Sequence, residues 1–239
     1  MIISALKGGL GNMLFQIAAG YSLANSIKTE FFYSFDFWHS FTNHKNENFE
    51  KTIFKSLNPI KIDKNLRFFN EKDLSYREIP KIDNQVLNGY FQSLNYFLKD
   101  ENLIRKLFDV PIQNEYSDYS FIHVRRGDYV KLKNIFHFLG REYYERALEI
   151  IKPSKVILLT DSDGIDYEDS FFSQFEKPKE KSVIYDLSIM KSCKSGIIAN
   201  STFSWWGAFL SNSDEIIAPS KWFVREEFDT IIPKRWIKI

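Results

Sequence analysis

The sequence predicts an α/β protein whose strands run parallel. Three observations lead there. The chain opens with a short apolar run, Ile2 to Leu6, which breaks at the turn Lys7-Gly8-Gly9-Leu10-Gly11-Asn12. Apolar residues then recur at helical spacing, at Leu14, Ile17, Ala18, Tyr21 and Ala24. The second half alternates short apolar runs with helical stretches, the pattern of a parallel sheet with crossover helices. Four polar motifs follow directly on predicted strands, and ligands of such sheets bind beyond the carboxyl ends of the strands.

In chain order, Ile2 to Leu6 is the first strand, Met13 to Ile27 a helix and Phe31 to Phe35 the next strand. Residues 38–84 are polar, rich in Lys and Asn and weakly periodic, so loops and short elements are expected there. Gln85 to Phe91 reads as a strand, about Leu94 to Phe108 as a helix, and the polar stretch Pro111 to Asp118 as a linker. This divides the chain at about residue 112, into 1–112 and 113–239. Beyond the linker the predicted strands are Ser120 to Val124, Lys155 to Thr160, Ser182 to Tyr185, Gly196 to Ala199 and Glu215 to Ala218. The predicted helices are Glu142 to Ile151, Leu187 to Ser192 and Phe203 to Ser211. Neither an internal repeat nor a low-complexity tract is present.

Bulk properties narrow the function classes. The 239 residues are 44% hydrophobic and 26% charged, ordinary for a globular protein. A net charge of +1 gives no electrostatic reason for nucleic-acid binding. The single cysteine, Cys193, excludes an intrachain disulfide and a multi-cysteine metal site. The N-terminus lacks the features of a signal peptide, and no apolar run approaches the roughly 20 residues that span a bilayer. A cytoplasmic protein is expected. Basic and aromatic residues interleave near the C-terminus (Lys221, Trp222, Phe223, Arg225, Lys234, Arg235, Trp236), which leaves room for peripheral contact with the inner face of the membrane.

The four polar motifs carry the candidate chemistry. In the glycine turn, Gly8, Gly9 and Gly11 allow a tight bend at a helix N-terminus, a place suited to anions. Asp36 ends the next strand, where a dinucleotide fold puts its ribose-binding acid, but Leu14 occupies the third glycine position of that fingerprint. The segment His123-Val124-Arg125-Arg126-Gly127-Asp128 places His123 and Arg125 on one face and Arg126 toward the other. An arginine fork matches phosphate oxygens bidentately; a surface ion pair between Arg126 and Asp128 is the plainer alternative. Thr160-Asp161-Ser162-Asp163 suits either a divalent metal or a helix N-cap. Asn200-Ser201-Thr202-Phe203 delivers hydroxyls and helix N–H groups to a strand end, again an anion site or a simple cap.

Together these segments resemble the bacterial α-1,2-fucosyltransferases of glycosyltransferase family 11. The matching pieces are GGLGNMLFQIAAGYSLA, LNGYFQSLNYF, FIHVRRGDYV, VILLTDSD, DLSIMKSCKSGIIANSTFSWWGAFLS and IIAPSKWF, running from residue 5 to residue 223. The resemblance implies a GT-B-like fold, two Rossmann-like α/β halves facing a cleft, with a GDP-β-L-fucose donor bound mainly by the C-terminal half. It implies inverting transfer of fucose to the 2-hydroxyl of a terminal galactose in a glycan, such as a lipopolysaccharide O antigen or its lipid-linked precursor, with no metal or other cofactor. By motif match, Arg125 grips the β-phosphate and stabilises the leaving GDP. His123 and Asp186 contact the guanosine. Ser201 and Thr202 bind phosphate oxygens, and Phe203 lines the base or ribose pocket. Asn12 faces the reacting sugar, Asp128 is the nearest motif carboxylate for a general base, with His137 weaker, and Arg126 braces the motif from behind. The chain is short for the family in its N-terminal half, which leaves acceptor identity the most exposed expectation.

Three other readings compete. One is a metal-dependent nucleotide-sugar transferase using Asp161 and Asp163. Another is a Rossmann-type NAD(P) oxidoreductase built on the glycine turn and Asp36. The third is a non-catalytic glycan-binding module using the 23 Phe, 12 Tyr and 5 Trp residues.

Overall fold

A computed structural model describes residues 1–36, 48–63, 65–127, 134–162, 165, 169–211, 213, 215–224 and 231–239. The chain forms two compact units, one built on Met1–Asp109, the other on the residues from Val110 onward, apart from a short return to the first unit near Ile231.

The first unit holds a four-stranded, all-parallel sheet ordered β2-β1-β4-β3. Its strands are β1 (Ile2–Ala5), β2 (Phe31–Ser34), β3 (Arg67–Asn70) and β4 (Gln85–Asn88). Helix α1 (Leu10–Ile27) crosses from β1 to β2 and is buried along most of its length. Its close approach to the sheet needs Gly20: a Cβ there would stand 2.3 Å from Ser4 Oγ, and that hydroxyl already donates to Gln16 O at 2.7 Å. Gln16 also ties down the glycine turn, accepting from Lys7 N at 2.9 Å and donating to Lys7 O at 3.0 Å. Ile2, Leu87 and Phe91 pack with Ala19 and Leu23 on one face of the sheet, while Ile3, Ala5 and Val86 form the other.

The second unit is a five-stranded, all-parallel sheet ordered β6-β5-β7-β8-β9. The strands are β5 (Ser120–Val124), β6 (Val156–Thr160), β7 (Ser195–Ile197), β8 (Ile216–Ala218) and β9 (Ile237–Lys238). Helix α3 (Arg141–Ile151) covers one face through Tyr144 and Ala147. Helices α4 (Val183–Ser192) and α5 (Thr202–Ser211) pack closely on each other: a Cβ on Gly207 would come within 2.7 Å of Met190 Cβ. Trp205 stacks on Phe209 at 4.9 Å and meets Trp236 at 5.6 Å, so these rings are core.

Several expectations change. Ser182 to Tyr185 is not a strand. Ser182 caps α4, its side chain accepting from Tyr185 N, and the β-prone Val-Ile-Tyr run follows the cap into the helix. The predicted helix from Leu94 divides into 3-10 turns at Leu94–Tyr96 and Leu98–Asp100 before helix α2 (Glu101–Leu107). The predicted strand to Phe91 ends at Asn88, while β3 is one of the short elements expected within residues 38–84. Trp222 and Trp236, counted toward a membrane-facing surface, are buried at 6% and 4% exposure. Among the described residues no helix is long and apolar enough to cross a membrane.

Candidate active site at the exits of β5, β6 and β7

From β5 the chain passes to β6 on one side and later returns to β7 on the other, so the strand order reverses between β5 and β7. Parallel sheets bind ligands at such a switch point, outside the carboxyl ends of the strands. Three of the four polar motifs leave the sheet there, from three adjacent strands.

His123 and Val124 end β5. His123 is 4% exposed, and its Nδ1 is buried without a hydrogen-bond partner among the described residues. Burial pushes its pKa down to about 4; the Asp161 carboxylate pulls it up and the Arg125 guanidinium pushes it further down. The imidazole is therefore neutral at physiological pH and offers one donor and one acceptor. Its ring centroid lies 5.7 Å from that of Phe203.

Arg125 follows the strand, and its Nη1 pairs with Asp161 Oδ2 at 2.9 Å, both side chains partly exposed. The other carboxylate oxygen, Oδ1, accepts from Arg126 N at 2.8 Å. Gly127 lies against the same carboxylate: a Cβ there would stand 2.2 Å from Asp161 Oδ2. Arg126 turns the other way. It is 5% exposed, donates to Leu139 O at 3.2 Å and holds its guanidinium 4.6 Å from the Phe138 ring centroid.

Both oxygens of Asp161 serve the exit of β5. The sequence showed only a polar strand exit; the sheet supplies the pairing. Thr160 ends β6 in register with Val124, so the residue after it falls beside Arg125. Asp128 and Asp163 lie outside the described residues. Among the described residues no group of three or more His, Cys, Asp or Glu could hold a metal ion.

Ser201 and Thr202 stand at the start of α5, just beyond β7. Asn200 fixes their approach, its Nδ2 donating to His137 O and Trp222 O at 2.8 Å each. The first turn of a helix carries N–H groups without intrahelical acceptors, which favours an anion. Asp186, expected at a strand end, lies instead on the first turn of α4. Asn12 belongs to the first unit, near the N-terminus of α1, where its Oδ1 accepts from Gln92 Nε2 at 2.9 Å. Asp36 is tied to structure, its Oδ2 accepting from Ile62 N at 2.7 Å.

Residues 41–239 match the description Glycosyl transferase family 11. The chain belongs to that family. Over its whole length it is 29% identical to an alpha-1,2-colitosyltransferase of Escherichia coli, covering 99% of that protein. It is 26% identical to the O-antigen biosynthesis glycosyltransferase WbnK of Escherichia coli, with 99% of each chain covered. A galactoside 2-alpha-L-fucosyltransferase of Caenorhabditis elegans is also 26% identical, over 89% of this chain and 70% of that one. Among solved structures, fucosyltransferase NodZ from Bradyrhizobium superposes with a TM-score of 0.55 at 16% identity, covering 87% of this chain and 92% of that one. Heptosyltransferase WaaC of E. coli gives a TM-score of 0.53 at 8% identity, with 100% and 92% covered. The family-11 member therefore has a GT-B-like fold of two Rossmann-like α/β halves, and it is a glycosyltransferase.

Proposed function

We propose that the chain is an inverting α-1,2-fucosyltransferase that moves L-fucose from GDP-β-L-fucose to the 2-hydroxyl of a terminal galactose in a glycan. The observation that carries this reading is the Arg125–Asp161 pair at the switch point, beside His123 and the start of α5. Breaking a fucosyl–phosphate bond leaves positive charge on the sugar and negative charge on the departing GDP. Donors fixed in advance around that phosphate lower the barrier, and an arginine with a helix N-terminus supplies them without a metal ion. Arg125 grips the β-phosphate, and Ser201 and Thr202 hold phosphate oxygens. His123 and Asp186 contact the guanosine, with Phe203 lining the base or ribose. Asn12 faces the reacting sugar, and Asp128 is the carboxylate that takes the acceptor proton.

The relatives support the donor and the linkage. One is named a galactoside 2-alpha-L-fucosyltransferase, and a NodZ crystal soaked with GDP-fucose has the same fold. The WbnK relative, named for O-antigen biosynthesis, supports a bacterial surface glycan as the acceptor. A second reading, colitose in place of fucose, is favoured by the relative named a colitosyltransferase. Colitose is fucose without its 3-hydroxyl, so the same phosphate grip serves either donor. Incubating the protein with GDP-fucose or GDP-colitose and a β-galactoside, with product linkage read by NMR, tests both. An α-1,2-linked fucoside is expected; transfer from GDP-colitose alone would decide for the second reading, and transfer from neither would end both.

A further inference from the structure

The segment Asn88-Gly89-Tyr90-Phe91-Gln92 leaves β4 at the switch point of the first unit. There the chain places β2 on one side of β1 and β4 on the other, so the exits of β1 and β4 flank the position where parallel sheets bind ligands. Lys7 and Asn12 stand at the first exit, Tyr90 and Gln92 at the second.

The β4 exit is built with care for direction. Phe91 takes a left-handed backbone, φ 51°, a conformation that strains a non-glycine residue and gathers at ligand-binding positions. Glu71 holds it there: Oε2 accepts from Tyr90 N at 2.5 Å and Oε1 from Phe91 N at 3.0 Å. Three successive side chains then part company. Phe91 is fully buried, 5.3 Å from the Tyr96 ring and 6.3 Å from that of Phe69. Gln92 turns inward and donates to Asn12. Tyr90 turns outward, 36% exposed, with the Lys7 ammonium 4.9 Å from its ring centroid. Lys7 Nζ also donates to Asn88 Oδ1 at 3.2 Å.

Packing explains Phe91 but not an exposed ring held under an ammonium. An exposed aromatic face beside amide and ammonium donors suits a pyranose, whose C–H face is apolar and whose rim is hydroxyl. Lys7 is partly buried and feels the Glu71 carboxylate, which disfavours a phosphate there and suits a neutral sugar. We propose that Tyr90 and Lys7 form the platform for the acceptor sugar, with Gln92 and Glu71 as positioning residues that aim Asn12 and Tyr90. The proposal rests on the reading of the chain as a glycan-modifying transferase.

The test compares wild type, Tyr90→Ala and Tyr90→Phe by acceptor KM with a β-galactoside and by calorimetric GDP affinity. Tyr90→Ala should raise the acceptor KM on the order of tenfold, Tyr90→Phe should stay near wild type, and GDP affinity should hold within about twofold throughout. An unchanged acceptor KM in Tyr90→Ala, or a fall in GDP affinity parallel to the KM rise, overturns the platform alone. A wild type that binds GDP but transfers from no GDP-sugar sinks the functional reading, and the platform with it.

Discussion

The Arg125 side chain meets Asp161 at 2.9 Å, and the same carboxylate accepts the Arg126 N–H at 2.8 Å. A free arginine carries about 2 kcal/mol of rotamer entropy, so fixing its fork before the donor arrives removes a cost from binding and from the transition state. Asp161→Asn keeps an oxygen for Arg126 N but removes the charge that holds Arg125. It should lower kcat by roughly ten- to a hundredfold, as small misplacements of a charge-stabilising group do. The melting temperature should change little, since a partly exposed ion pair contributes only about 0–1 kcal/mol. Steady-state rates beside a thermal melt check this; loss of folding in step with activity would make Asp161 a merely structural residue. His123 shows the opposite economy of charge: burial favours its neutral form, which suits the hydrogen-bonding role proposed for it.

The strands set where these side chains arrive. Gly196 of β7 sits in register with Phe121 of β5, and a Cβ on Gly196 would come within 2.1 Å of the Phe121 ring. Phe121 is fully buried and has no room to retreat. Gly196→Ala should therefore cost about 1–3 kcal/mol of stability, the usual penalty of overpacking, measurable by urea denaturation. The strand ends at the site were legible in the sequence because each apolar run stops at a motif rich in Arg, Asp, Asn, Ser or Thr. Ser182 to Tyr185 was not, because three β-prone residues outweigh one serine until the cap is seen. Strand β3 was hidden for a related reason: Arg67–Asn70 is a short edge strand with exposed ends, and four residues leave no periodicity to count. Asp161 was legible as a polar strand exit, but its partner was not. Pairing it with Arg125 needs the order of β5 and β6 in the sheet, which is tertiary information.

At the scale of the whole molecule, each unit repeats one arrangement: a parallel sheet with a switch point and candidate functional side chains at the exits that flank it. In the second unit the exits carry an arginine, an aspartate and a helix start, a set suited to a leaving diphosphate. In the first they carry Lys7, Asn12, Tyr90 and Gln92, a set suited to hydroxyls. The family match extends across both units, from residue 41 to residue 239. In the proposed mechanism, Arg125 and the start of α5 form a diphosphate grip in place of a divalent ion. The most direct measurement is the rate of GDP release from GDP-fucose in the presence of a β-galactoside and EDTA, for wild type and Arg125→Ala. Wild type should keep its rate in EDTA, and Arg125→Ala should lose on the order of 10²–10³-fold, the scale of losing one transition-state donor. An Arg125→Ala protein within a few-fold of wild type, or a wild type silenced by EDTA and restored by a divalent ion, would contradict it.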